Sequence, residues 1–128
     1  MDNLQEYRRT QEYKMVFILS GFRILAGLTG IKFLKDLKDY RNHFLNEEFH
    51  SDKNTISSIE YGIIQLNARE VELYAYYISE SYKYDSEYFY DVVMEEAKRL
   101  PKEINYNSSH IILINAIARI VKMMQEVS

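Results

Sequence analysis

The sequence predicts an all-α fold, a bundle of five to six helices. Only one proline and four glycines interrupt the 128 residues, and such scarcity of helix breakers favours helices over strands. Apolar residues recur at intervals of three and four positions along much of the chain, which is helical spacing. A chain of this length supports one domain with one modest core. We therefore expect a single helical domain over residues 1–128.

Capping residues, glycines and the proline predict where each helix begins and ends. We expect helices from a cap at Asp2 or Asn3 to about Gly27, from Ile31 to about Leu45, from a cap at Asp52 to Gly62, over Ala68–Ile78, from a cap at Asp85 or Ser86 to Leu100, and over His110–Val127 after a cap at Ser108 or Ser109. The last helix is apolar on most faces, so it is either the central core helix or a dimer interface.

The amino-acid composition limits the expected cellular location and the possible binding partners. The chain has no cysteine, so it can form neither disulfides nor a thiolate metal site, and we expect a cytoplasmic protein. The most apolar window, Met15–Leu34, carries Arg23 near its middle, which costs about 2.5–3.5 kcal/mol on membrane insertion. We expect a buried core helix there and no membrane span. The formal net charge of −3 counts against nucleic acid as a partner, although a basic face can lie on an acidic protein.

Residues that could support catalysis or metal binding are sparse. No Ser/His/Asp set, glycine-rich phosphate loop or Walker motif occurs, so we predict neither an enzyme nor a cofactor. His43, Glu47 and His50 are spaced i, i+4 and i+7, and one helix face could present all three to a metal. A di-iron bundle needs Glu-x-x-His on two helices, and only Glu47 and His50 fit that spacing. We therefore predict no metal site.

The stretch from Asp52 to Ile78 has the layout of a short helix, a glycine stop, a loop and a second amphipathic helix. It begins Asp52-Lys53-Asn54-Thr55-Ile56-Ser57-Ser58-Ile59-Glu60-Tyr61-Gly62. Ile56 and Ile59 are three apart and should point inward. The opposite face then carries the short polar side chains of Lys53, Asn54, Ser57 and Ser58, which can enter a major groove without steric block.

This layout resembles the recognition half of a phage-repressor-like (Xre family) helix-turn-helix domain. The family's recognition helix ends in aliphatic, Glu, any residue and Gly, and its next helix has an alanine thirteen residues after that glycine, where Ala75 stands. Leu34–Lys38 resembles the family's first helix, Leu45–Phe49 its second, and Asp85–Phe89 the start of its fifth. In relatives, the glutamate at the position of Glu60 can pair with a basic residue of the first helix. Candidates for that residue are Lys35, Lys38 and Arg41.

The resemblance implies a lambda-repressor-like helix-turn-helix core over residues 31–90, flanked by an N-terminal extension (1–30) and C-terminal helices (91–128). It further implies a sequence-specific DNA-binding transcriptional regulator, most simply a repressor that binds double-stranded DNA as a homodimer. Base edges or nearby phosphates would meet Lys53, Asn54, Ser57 and Ser58. The DNA backbone would be positioned by Arg41, Asn42, Asn46 and Thr55.

The alternative is a small helical protein-interaction module, such as a phage or mobile-element protein that binds a host factor through a degenerate helix-turn-helix. Seven of the twelve tyrosines fall between Tyr74 and Tyr90, and that cluster is the candidate surface for a protein partner. Tyrosine-rich helices are more often half-buried, with the ring packed and the hydroxyl in water.

Overall fold

The computed structural model describes residues 3–107 and 109–127. Seven helices occur in this part of the chain, in the order α1 (Asn3–Arg8), α2 (Gln11–Leu25), α3 (Ile31–Phe44), α4 (Thr55–Tyr61), α5 (Ala68–Tyr82), α6 (Ser86–Lys98) and α7 (His110–Glu126). These ranges contain no strand, so the all-α prediction is confirmed. Two of the candidate caps, Asp2 and Ser108, lie outside the described residues.

The predicted first helix is divided in two at Thr10. The Thr10 side chain accepts a hydrogen bond from the Tyr13 amide at 3.1 Å and donates one to the Tyr7 carbonyl at 2.6 Å. Its backbone is extended, so it caps α2 as an ordinary N-cap threonine does. The prediction of one continuous helix was wrong because the apolar periodicity of α1 and α2 concealed this cap.

Helix α2 is the centre of the bundle. It packs against α1, α4, α5, α6 and α7, and every residue from Met15 to Phe22 is buried. The expected buried core helix is therefore α2, which contains the first part of the apolar window Met15–Leu34. No helix in residues 3–107 and 109–127 is long and apolar enough to cross a membrane.

The ten residues between α3 and α4 have no helix, so the predicted helix at Leu45–Phe49 was wrong. Asn46 adopts a positive φ of 54°, which ends α3 as a left-handed residue does. The Arg41 carbonyl then accepts the Glu47 amide at 2.9 Å. His43 lies on α3 whereas Glu47 and His50 lie beyond it, so the helix face that would have presented three metal ligands does not form.

Helix α4 begins at Thr55, three residues after the predicted cap. The Asp52 carboxylate accepts the amide of Asn54 at 2.8 Å, so it closes a local turn instead of capping a helix. The Thr55 hydroxyl accepts the Asp52 amide at 2.7 Å. Lys53 and Asn54 therefore lie in the turn that leads into α4.

Helices α6 and α7 begin after the expected caps, Asp85 and Ser109, and α5 begins at the expected Ala68 after a cap that was not predicted, Asn67. Asn67 and Glu70 form a reciprocal capping box at the start of α5, and Asp85 caps α6. Helix α7 packs against α2 and α6 through Ala116, Ile117, Ile120 and Met124. It lies at the edge of the bundle, so of its two predicted roles, that of central core helix was wrong.

We predict that Gly62→Ala lowers the free energy of unfolding by about 2 kcal/mol, and by more than Gly27→Ala does. A left-handed conformation costs an L-residue roughly 1–2 kcal/mol at both positions, whereas only the Cβ at Gly62 meets neighbouring side chains. Gly62 ends α4 at a φ of 99°, and an added Cβ would lie 3.2 Å from atoms of Leu4 and Tyr13. The control is Gly27→Ala, where φ is also positive but no atom lies within 4 Å of the added Cβ. Urea denaturation measures both. An equal or smaller loss at Gly62 would contradict the packing described here.

Candidate nucleic-acid interface

Helix α4 presents the polar face that the sequence predicts. Ile56 and Ile59 are buried, whereas Ser57 is exposed and Ser58 is half-buried. Lys53 and Asn54, just before the helix, are exposed on the same segment. Four of the predicted DNA-contacting side chains are therefore close together along the chain, on one short turn and helix.

Thr55 is an exception among the predicted site residues. Its side chain is buried and its hydroxyl donates to the Asp52 carboxylate at 3.3 Å, besides accepting the Asp52 amide. Its role in positioning the DNA backbone stays a prediction, and its hydroxyl is used within the turn that precedes α4.

A buried cluster of charged and polar groups fixes α4 against the bundle. The Glu60 side chain is about 2% exposed, and both of its oxygens accept hydrogen bonds from Arg23 of α2, at 2.6 and 2.7 Å. The Tyr74 hydroxyl of α5 also donates to Glu60. Arg23 donates a further bond to the Leu28 carbonyl at 2.7 Å. A bidentate guanidinium–carboxylate pair of this kind is both strong and directional.

The pKa shifts in this cluster have clear causes. Hydrogen bonding to Glu60 raises the pKa of Arg23, against the opposing effect of burial. Burial raises the pKa of the Tyr74 hydroxyl well above its usual value, and the Glu60 charge raises it further. Arg23 therefore stays charged and Tyr74 stays protonated, as both must be to donate to the carboxylate.

Glu60 has a different partner from those predicted. Lys35, Lys38 and Arg41 were the candidates, and all three lie on α3, whereas the partner is Arg23 on α2. Helix α2 packs directly against α4 and α5, so Arg23 lies within hydrogen-bonding distance of Glu60. The sequence concealed this role because Arg23 stands inside the most apolar window of the chain.

The carboxyl end of α4 is held by a second set of hydrogen bonds. The Tyr13 hydroxyl donates to the Glu60 carbonyl at 2.8 Å, and the Arg8 guanidinium donates twice to the Tyr61 carbonyl, at 3.0 and 2.7 Å. These donors satisfy carbonyl groups that receive no hydrogen bond from an amide within the helix. The short α4 is thus fixed from α1, α2 and α5.

Three lysines line a groove between α3 and the turn before α4. The groove has a volume of about 410 Å³ and is lined by Lys35 and Lys38 of α3 and by Lys53 of the turn before α4, together with Asp52. All three lysines are exposed. None of the ion pairs among the described residues involves them. Lys35 and Lys38 were predicted only as partners for Glu60. Their spacing of three residues, with Asn42 four residues after Lys38, could have indicated that all three lie on one face of α3.

Arg41 is engaged by partners within the molecule. Its guanidinium binds the Glu70 carboxylate at 2.5 and 3.2 Å and the Gln65 carbonyl at 2.9 Å, and it lies 5.1 Å from the centre of the Phe49 ring. It therefore holds the irregular segment after α3 against the start of α5. The phosphate role of Arg41 stays a prediction, and a DNA contact would compete with the Glu70 carboxylate that caps α5.

The two predicted asparagines lie in different settings. Asn42 is exposed on α3, on the face that carries Lys35 and Lys38. Asn46 is exposed in the left-handed turn after α3, outside any helix. Asn42 therefore lies on the same face of α3 as the lysines of the groove, whereas Asn46 lies in the turn after the helix.

Of the seven clustered tyrosines, Tyr74 is in the core and the other six are half-buried. Tyr74 is fully buried and stacks on Phe33 with ring centres 4.5 Å apart. The Tyr82 hydroxyl donates to the Phe22 carbonyl at 2.7 Å, and the Tyr77 hydroxyl accepts the Gly30 amide at 2.9 Å. These rings and hydroxyls are engaged inside the molecule, which weighs against the cluster as a surface for a protein partner.

Comparison with known proteins gives no match. No protein-family model matches the chain, and neither the search of curated proteins nor that of solved structures finds a similar protein.

We predict that Glu60→Gln lowers the free energy of unfolding by about 3 kcal/mol or more, because it leaves the Arg23 charge without its counter-charge in a buried site. The matched control is Glu80→Gln, which breaks the Lys32–Glu80 pair, whose side chains are both more than 60% exposed. We expect no measurable loss there. Urea denaturation of both variants is the measurement. Similar losses in the two would mean that the Glu60 cluster does not hold α4.

Proposed function

We propose that this chain is a sequence-specific DNA-binding regulator that acts as a repressor, with α4 as its recognition helix. The observation that carries the proposal is the groove between α3 and the turn before α4, where Lys35, Lys38 and Lys53 are exposed and free of ion pairs among the described residues. Cationic side chains beside an exposed polar helix face are what phosphate contacts and base readout require.

The local charge matters more than the net charge here. Helix α3 divides its charges between two sides, with Lys35 and Lys38 at this groove, and Asp36 and Asp39 at a cleft lined also by Arg69 of α5. The net charge of −3 is therefore not spread evenly over the surface. Phosphate attraction depends on the charges that lie within about 8–10 Å at physiological salt, so the basic side of α3 supports DNA binding despite the acidic total.

The partner of Glu60 supports a revised register within the resemblance. In relatives, the corresponding glutamate pairs with a basic residue of the first helix, and Arg23 belongs to α2. We therefore assign α2 to the first helix and α3 to the second, in place of Leu34–Lys38 and Leu45–Phe49. Helix α3 then directly precedes the recognition helix. An added Cβ on Gly30, the residue before α3, would lie 3.0 Å from the side chain of Ile56, so the chain contacts α4 just before α3 begins.

The connection between these two helices departs from the family. Helix-turn-helix motifs are usually joined by three or four residues, whereas ten residues separate α3 from α4. Arg41 and Phe49 tie this segment to the start of α5. These contacts hold the long connection in place, and the polar face of α4 remains exposed.

We predict that Lys35→Ala combined with Lys38→Ala weakens binding to a short mixed-sequence DNA duplex and lowers the salt slope of log K by about 2, since each phosphate contact adds roughly 1. The matched control is Lys102→Ala combined with Lys122→Ala, because both lysines are exposed and the change in net charge is identical. Fluorescence anisotropy at several salt concentrations measures both. Equal effects of the two pairs, or no binding of the wild type at low salt, would overturn the proposal.

We further predict that Asn54→Ala combined with Ser57→Ala removes sequence preference while leaving binding to mixed-sequence DNA nearly unchanged. A good bidentate base contact contributes about 1–3 kcal/mol of discrimination. The duplex is one selected by the wild-type protein from a random library, and the control is Asn107→Ala with Ser81→Ala, both at exposed positions. Retained preference in the Asn54 and Ser57 variant would place base readout elsewhere.

A further inference from the structure

An uncharged apolar surface lies where the end of α2 meets the start of α7. Four large side chains there are more than half exposed: Ile24 57%, Leu25 70%, Ile111 75% and Ile114 63%. Neither residues 24–31 nor residues 104–118 contain a lysine, arginine, aspartate or glutamate, although 27% of the whole chain is charged. This surface, called the α2–α7 face below, is distant in sequence from α4 and is not used by the proposed DNA contact.

The α2–α7 face has a groove beside a ridge. The groove has a volume of about 250 Å³ and runs between the two helices, with Leu25 and Ile114 among its exposed lining. Gly21 and Ile117 are its buried lining, and a Cβ on Gly21 would lie 2.4 Å from the Ile117 side chain. Glycine thus lets α2 and α7 approach closely. On α7, Ile111 lies one turn before Ile114 on the same side, so these two side chains form the ridge.

We propose that the α2–α7 face binds a second copy of this chain about a two-fold axis, with the ridge of each protomer in the groove of the other. An isologous contact requires a surface that is complementary to itself, and a ridge beside a groove meets that requirement. His110 lines the groove, but the face has no lysine, arginine, aspartate or glutamate, so no charges of these residues oppose each other when two identical faces meet. A charged or basic partner has nothing to pair with on this face.

The exposed area fits a weak, reversible dimer. The four side chains expose roughly 500 Å² of apolar surface, which is in the range of the largest patch on a typical monomer, about 300–600 Å², a patch that is often functional. Two such faces together bury about 1,000 Å², the lower bound for a specific interface. We therefore expect a dissociation constant in the micromolar range. Such a dimer also presents two copies of α4, as needed for two half-sites, but the contact itself does not depend on DNA binding.

The test is sedimentation velocity of the full chain without DNA, from low micromolar to several hundred micromolar protein. We expect the wild type to shift from monomer to dimer over this range, and Ile114→Lys to raise the dissociation constant at least tenfold. Leu25→Lys is the second variant, should Ile114→Lys lose its helical circular dichroism. The control is Phe44→Lys, because Phe44 is 79% exposed at the end of α3, away from this face.

Three results would overturn the proposal: a wild type that stays monomeric at the highest concentration, a dimer unaffected by both lysine variants, or a dimer disrupted by Phe44→Lys. Because DNA is absent, these results are separate from those on the lysine groove. A monomer that binds DNA would reject the α2–α7 contact alone, and a dimer that binds no DNA would reject the proposed function alone.

Discussion

The buried carboxylate of Glu60 is the point on which the arrangement of α2, α4 and α5 depends. An isolated helix of seven residues is not stable in water, since short helices do not recover the cost of nucleation. Helix α4 therefore needs tertiary contacts, and Glu60 supplies them in two directions, to Arg23 on α2 and to Tyr74 on α5. With this pair formed, Ile56 and Ile59 face inward and Ser57 faces solvent.

The same constraint connects the core to the surface. Arg23 lies in the last turns of α2, and its bond to the Leu28 carbonyl orders the residues that lead into α3. Gly30, the residue before α3, then lies against Ile56, which brings the lysines of α3 beside the turn before α4. A buried ion pair that lost one partner would leave an uncompensated charge, so the position of the lysine groove is coupled to the stability of the core.

The features of the fold that depend on local signals were predictable from the sequence. The caps at Asp85 and Ser109 and the stop at Gly62 are short-range features, and the starts of α6 and α7 and the end of α4 follow them. Features that depend on tertiary contact were not predictable. The pairs Arg23–Glu60 and Arg41–Glu70 join residues that are far apart in the chain, whereas Thr10 is a local cap that the continuous apolar stripe concealed. Of the candidate site, the exposed α4 residues could be predicted from spacing, whereas the place of the α3 lysines beside Lys53 depends on the packing of α3 beside the turn.

The most direct test of the account is an amide chemical-shift titration of the isotopically labelled full chain with a DNA duplex selected by the protein itself. The account predicts that the largest shifts fall on residues 51–58 and on the Lys35, Lys38 and Asn42 face of α3, with smaller shifts in α6. Shifts centred on α6 or on the tyrosines of α5, or no shifts at low salt, would contradict the claim that α4 and the lysine groove form the DNA-binding surface.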